Sequence, residues 1–381
     1  MNDAPSHAIT WAEVDLDAYR ANVRALQQWV GPKVQVFAVV KANAYGHGLV
    51  PVAQAALQAG ATRLVVHRLE EGLALRAAGV TAPILLLGYV PLAAAAQVVQ
   101  HGLIPTVITL AFVRALAAHA STQQPHPVHI NVDTGMGRYG LLPHEVVDFL
   151  RAVRDIPGVE VEGLYTHFAT ADEADTTYLR RQWRVFQDVL AAVQDAGLMP
   201  RLRHACNSAA TFALPEAHLD AVRPGIATYG LRPSLAWKTP VPLRPVLTWK
   251  SRVARVRTLP AGSSIGYGRT YITSRPTTVA LVPVGYGDGY VRRLSNRAQV
   301  LVRGQRAAVV GRVSMDQIVV DVSHIPGVEM EDEVVLLGRQ GQEHIAAEEI
   351  ATWAETINYE VTTLLLPRVT RVYRDAARPQ G

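Results

Sequence analysis

One cysteine, Cys206, stands in a chain of 381 residues. A lone thiol closes no intrachain disulfide and leaves no cysteine cluster for zinc, so no metal site is expected. Lysine is almost as scarce: Lys33, Lys41, Lys238 and Lys250 are the only four among 37 lysines and arginines. The arginines are scattered and the net charge of +5 is modest for this length, which argues against a nucleic-acid stripe or a membrane-binding face. Long hydrophobic runs are also missing. The most apolar long stretch, residues 84–99, is interrupted by Gly88 and Pro91 and makes no spanning helix. Met1 to Thr10 lack the basic-then-apolar pattern of a secretion signal, so the cytoplasm is the expected location.

What is present is regular. With 49% apolar residues the chain can bury a large core, and its length suits two domains. The runs at 34–40, 62–66, 83–87, 103–108, 128–132, 161–166, 202–206 and 221–228 read as strands. Segments of helical period lie between them, at 69–78, 91–100, 110–119, 143–154 and 177–194. This alternation predicts an α/β domain with a parallel sheet, a (β/α)8 TIM-like barrel over residues 11–240. A doubly wound open sheet is the alternative, but no G-x-G-x-x-G follows the first strand. After a Pro-rich stretch at 232–245, β-branched alternation with Gly turns predicts a C-terminal β-rich domain over 241–381. Its strands are expected at 253–256, 278–282, 298–302, 307–310 and 317–322, with one short helix near 346–355.

Barrels of this kind carry their chemistry at the C-terminal ends of the strands. Lys41 follows the first strand; Asn131, Asp133 and Arg138 follow the fifth, and His167 the sixth. Asn207 and Ser208 follow the seventh, and the eighth carries Arg223, Gly225 and Ile226. Lys41 in isolation reads as a strand-end lysine reaching for water. In apolar surroundings, however, a lysine shifts its pKa readily and suits proton abstraction or Schiff-base chemistry. Asn207-Ser208 looks like a helix N-cap offering a hydroxyl and free N–H groups, and Gly225 lets backbone approach an anion closely. A lysine, a phosphate-sized pocket and an arginine in one ring point to pyridoxal phosphate (PLP).

Residues 39–48, VVKANAYGHG, resemble the PLP-lysine motif of the alanine racemases. The segments DTGMGR at 133–138, YTHFA at 165–169 and RPGIATYG at 223–230 are similar to that family too. So are Gly266-Tyr267-Gly268, GYGDG at 285–289, Ser314-Met315-Asp316 and TINYE at 356–360, and the likeness runs from Trp11 to Tyr373. The resemblance implies that Lys41 holds the PLP aldehyde as a Schiff base, and that Tyr45, Ser208, Gly225, Ile226 and Tyr359 bind its phosphate. Arg223 would face the pyridine nitrogen, with His167 orienting it. Arg138 would contact the cofactor's phenolic oxygen and the substrate carboxylate. Tyr267, Tyr286 and Met315 would come from the second subunit of a homodimer with shared sites. Function follows as expectation: interconversion of L-alanine and D-alanine, supplying D-alanine for peptidoglycan.

Racemisation removes a proton from the α-carbon and returns one to the opposite face. Two bases on opposite faces serve this, and the resemblance gives Lys41 to the D-isomer and Tyr267 to the L-isomer. A guanidinium only donates, so Arg223 would meet a ring nitrogen that carries no proton. A racemase of broader amino-acid range, or a barrel that merely carries PLP, are the competing readings. A carrier needs no second base, which counts against the last. His47 and His204 read as structural, Cys206 as a buried inert thiol, and Asp288 as a turn former. One departure stands out: Asn131 occupies the place where many of these racemases carry a carbamylated lysine. An asparagine cannot be carbamylated; its amide oxygen could serve Arg138 instead, or a bound anion could fill the space.

Overall fold

The computed structural model describes residues 7–375. The chain divides into two compact units, one built from residues 18–44 and 49–245, the other from the segment ending at Asp17, residues 45–48 and the chain from Val246 onward.

The first strand, β1 (Thr10–Asp15), lies in the second unit although the expected barrel span begins at residue 11. It pairs antiparallel with Leu247–Arg252 and parallel with Thr370–Arg374. The barrel strands then follow in chain order. They are β2 (Gln35–Val39), β3 (Arg63–Val66), β4 (Ile84–Leu86), β5 (Leu103–Pro105), β6 (His126–Val132), β7 (Val159–Thr166), β8 (Leu202–His204) and β9 (Ala221–Val222). All are parallel, in the order β5-β4-β3-β2-β9-β8-β7-β6. A parallel bridge between Thr106 and His129, with the Val107 N–H on the His129 carbonyl at 2.8 Å, closes the ring. The (β/α)8 expectation is therefore met.

Helices cover the strands because their apolar residues recur every three or four positions. Thr177–Asp195 buries Leu179, Trp183, Phe186, Val189 and Val193 on one stripe. Leu110–Ala117 starts where the Thr109 hydroxyl accepts the Phe112 N–H at 3.4 Å.

Two expected strands end differently. The run 221–228 is a strand only at Ala221–Val222. Pro224 has no N–H to give, the Gly225 N–H goes to the Ser208 hydroxyl at 2.8 Å, and Ile226–Tyr229 coils into a 3-10 turn. The expected strand at 253–256 is a junction between Leu247–Arg252 and Arg255–Leu259. There the Val253 N–H serves Asp332 and the Ala254 N–H serves Leu281, so the chain changes partner strand. The strands expected at 278–282, 298–302, 307–310 and 317–322 are Thr277–Val282, Gln299–Val302, Gln305–Val309 and Ile318–Asp321, and the short helix is Ala347–Ala354. The long strand Glu333–Gln340 and its partner Glu343–Ile345 were not expected. A further helix, Asn358–Thr363, follows it. Trp249 and Tyr290 pack edge to face in this unit's interior, 5.9 Å between ring centres.

Candidate active site

Lys41 stands where β2 gives way to an uncommon turn. Ala42, Asn43, Ala44 and Tyr45 all have φ of 52–53°, the left-handed region that costs a non-glycine residue about 1–2 kcal/mol. Side chains hold this turn. Glu71 accepts the Ala42 N–H at 2.5 Å and, with its other oxygen, those of His67 and Arg68 at 2.9 and 3.1 Å. The Asn43 amide oxygen accepts the Leu49 N–H at 2.9 Å. Burial, reinforced by the charge of Arg138, draws the Lys41 amine below its ordinary pKa, while Glu71 pulls the other way.

Near the end of β6, the buried Asn131 donates through Nδ2 to the Tyr139 carbonyl, and its Oδ1 meets no partner among the described residues. The amide oxygen thus does not hold Arg138, because Asn131 is committed to the returning loop. Asp133 shapes that loop: its carboxylate accepts N–H groups from Gly135, Gly137 and Arg138 at 2.9–3.0 Å. Burial would raise the Asp133 pKa, but these hydrogen bonds outweigh it and hold the carboxyl low. The Arg138 side chain is left exposed to solvent.

Arg223 follows β9 and is 3% exposed. Nη1 lies 2.6 Å from His204 Nδ1, and Nη2 donates to the carbonyls of Thr166 at 2.7 Å and Ala205 at 3.2 Å. His167 Nδ1 is farther, at 3.5 Å from Nη2. His204, read from sequence as merely structural, is the closer partner. The guanidinium also lies over the Tyr165 ring, 4.9 Å from its centre. Burial and the charges of Arg223, Arg138 and Lys41 depress His167 to about 3, so its imidazole is neutral.

Asn207 caps the helix Ser208–Ala213 by accepting the Ala210 N–H at 3.0 Å. The Ser208 hydroxyl oxygen accepts from Gly225 and Ala227, at 2.8 and 3.3 Å, so its own hydrogen is free to donate elsewhere. Ile226 is fully buried. Asn207, Ser208, Gly225 and Ile226 therefore form one cluster, tied by the serine.

The second unit gathers the remaining residues. Tyr45 and Tyr359 lie with ring centres 6.3 Å apart. Tyr286 and Met315 sit on neighbouring segments, joined by the Tyr286 N–H to Ser314 at 3.1 Å and the Gly287 N–H to Met315 at 2.8 Å. Only a glycine at 285 permits this approach, since a Cβ there would meet the carbonyls of Ser314 and Met315. Asp288 braces the same turn, accepting the Gly285 N–H and a two-pronged contact from Arg368. Tyr267 lies between Gly266 and Gly268 and is 71% exposed.

Residues 14–233 match the alanine racemase N-terminal domain family, and residues 246–373 the alanine racemase C-terminal domain family. The chain belongs to the alanine racemase family. It is therefore an isomerase by family. The alanine racemase of Symbiobacterium thermophilum is 51% identical over 365 residues, covering 96% of this chain and 97% of that one. Among solved structures, the alanine racemase of Bacillus anthracis with bound L-Ala-P superposes with a TM-score of 0.92 at 42% identity, covering 98% of this chain and 97% of that one. The alanine racemase of Bartonella henselae with covalently bound pyridoxal phosphate gives 0.86 at 33% identity, covering 96% of this chain and all of that one.

Sequence reading of this alanine racemase family member missed Glu71, Glu162 and His129. Glu71 sits three residues into a helical segment and reads there as an ordinary first-turn acid. A carboxylate at 162 and histidines at 129 and 204, each inside an apolar strand, were the available signal for a buried polar line.

Proposed function

We propose that the chain interconverts L-alanine and D-alanine with PLP held on Lys41, as a cytoplasmic homodimer with shared sites that supplies D-alanine for peptidoglycan. The supporting observation is a single one: a lysine with a depressed amine, a buried arginine and a serine–glycine cluster stand at the ends of strands of one barrel. Those groups fit PLP by their chemistry. The Ser208 hydroxyl and the backbone around Gly225 and Ile226 suit a phosphate, with Asn207 setting the helix start; Tyr45 and Tyr359 would add phenols. Nη2 of Arg223 gives both hydrogens to carbonyls and Nη1 gives one to His204, which leaves Nε–H and one Nη1 hydrogen for a ring nitrogen. Lys41 suits an aldehyde.

Bound there, PLP would acidify the α-hydrogen of an amino acid by drawing off its electrons. The chain's residues would do the rest. Lys41, its amine made easier to deprotonate by burial and Arg138, takes or returns the proton on the D-isomer's face. Arg138 offers an open guanidinium to the substrate carboxylate. Arg223 gives the ring nitrogen a donor that does not titrate near neutral pH, with His167 beside it. Tyr267 of a second copy would work the opposite face, with Tyr286 and Met315 bounding the substrate. In this reading residues 11–240 hold the cofactor and residues 241–381 complete the neighbour's site.

Incubation with L-alanine should yield D-alanine by chiral chromatography, and borohydride should fix PLP onto Lys41. A colourless protein, or a label on Lys33, Lys238 or Lys250, sinks the proposal.

A further inference from the structure

Five buried side chains inside the barrel form one hydrogen-bonded line, and the reaction as described uses only its first member, Arg223. Arg223 Nη1 is 2.6 Å from His204 Nδ1, and His204 Nε2 is 2.8 Å from His129 Nδ1. His129 Nε2 is 3.0 Å from Glu162 Oε2, and Glu162 accepts both Nη groups of Arg63 at 2.7 and 3.0 Å. Arg201 also pairs with Glu162. Arg223, His204, His129, Glu162 and Arg63 are 3, 0, 0, 3 and 5% exposed.

Counting donors fixes the direction of the line. A guanidinium only donates, so His204 Nδ1 must be bare and its hydrogen must sit on Nε2. That hydrogen points at His129 Nδ1, which must therefore be bare too. His129 then carries its hydrogen on Nε2 and gives it to a carboxylate, which only accepts. A second proton on either ring would turn an N–H against another N–H or against Arg223. Burial, opposed in part by Glu162, holds His129 down to about 4, and burial with the charge of Arg223 holds His204 well below its usual value. The barrel is also shaped around this line. A Cβ at Gly163 would meet three ring atoms of His129, Nε2 at 2.7 Å and the others nearer, and Tyr165 stacks on His204 at 4.8 Å.

We propose that Glu162, acting through His129 and His204, is a positioning residue for Arg223. The carboxylate orders both imidazoles so that a lone pair always meets Arg223 Nη1. The guanidinium is thereby held in one place, and His204 has no hydrogen to pass toward the cofactor. A ring nitrogen facing Arg223 would thus stay unprotonated. This last step rests on the PLP reading; the order of the hydrogens does not.

The test is side-chain nitrogen NMR of the holoenzyme carrying 15N-labelled histidine, with 15N-labelled PLP in a second sample. Both His204 and His129 should show hydrogen on Nε2 and a bare Nδ1. His129→Leu should release His204, move the PLP ring-nitrogen resonance toward its protonated position, and lower kcat about tenfold with KM nearly unchanged. His129→Gln, whose amide can accept from His204 and donate to Glu162, should restore the ring-nitrogen signal and most of kcat. Hydrogen on Nδ1 of His204, or a His129→Leu holoenzyme with unaltered ring-nitrogen resonance and kcat, overturns the proposal. Should His129→Leu fail to fold, the tautomers of the unmodified protein decide it alone. A protein that binds no PLP at Lys41 defeats the cofactor reading instead, and its histidine spectrum still reports the order of the hydrogens.

Discussion

The Glu71 carboxylate reaches across from another strand's helix to accept the N–H of Ala42, the residue next to Lys41, at 2.5 Å. One acid thus caps a helix and restrains a left-handed turn. Glu71→Ala strands three backbone donors. We expect a loss of about 1–2 kcal/mol in urea unfolding. Glu71→Gln removes the charge that opposes the depression of the Lys41 amine. The pH midpoint for acylation of Lys41 in the cofactor-free protein should therefore move lower, and an unmoved midpoint would show that Glu71 acts on shape alone.

Tyr267→Phe keeps the ring and deletes the phenol. If Tyr267 serves the L-isomer, solvent exchange of L-alanine's α-hydrogen should slow roughly 100-fold or more. Exchange from D-alanine, which on the same proposal would rely on Lys41, should slow far less. Equal slowing of the two would remove Tyr267 from the role of base.

Acid should weaken the fold through its buried histidines before it touches the carboxylates. His129 is depressed from 6.5 to about 4 by burial, and His204 well below 6.5. A depressed histidine takes up its proton more readily unfolded than folded. Its contribution is complete above pH 6.5 and declines as pH falls toward the folded value. Each such residue steepens the dependence by up to about 1.4 kcal/mol per pH unit. Glu162 and Asp133, both held low, keep their full contributions above the ordinary carboxylate range and lose them as pH falls through that range toward their lower folded values. Between pH 6.5 and 5, His129→Gln should flatten the slope of the denaturant midpoint; an unchanged slope would mean His129 is not a titrating group there.

Gly163→Ala should cost about 1–3 kcal/mol, because the methyl group falls on the His129 ring. In a His129→Ala background the same change should cost much less, and a double-mutant cycle measures the difference. Equal costs in both backgrounds would place the strain elsewhere.

The barrel was legible because its strands are apolar runs with helical stretches between them, and both periodicities are local. Lys41, Asn207 and Ser208 could be placed for the same reason, each lying just past a recognisable strand. β1 was not legible: six residues carry little pattern, and its neighbours are Leu247–Arg252 and Thr370–Arg374. Nor was the line through Glu162. Arg63, His129, Glu162 and His204 lie on four different strands and meet only when the ring closes. Read singly, each is a lone polar residue in an apolar run. The strand expected at 221–228 failed on a single chemical fact, the missing N–H of Pro224 beside a glycine whose N–H belongs to Ser208.

The pairing of β1 bears on how the chain is made. Every barrel strand has left the ribosome once Val222 has, so that sheet can close while synthesis continues. β1 emerges before every other described strand and must wait for both neighbours, the second arriving only with Thr370–Arg374. A product stopped near Pro245 would carry a complete ring of strands and an unpaired ribbon, Thr10–Asp15, with open edges on both sides. Such a fragment invites edge-to-edge association between copies, so nascent chains of this protein are most exposed to aggregation late in translation rather than early.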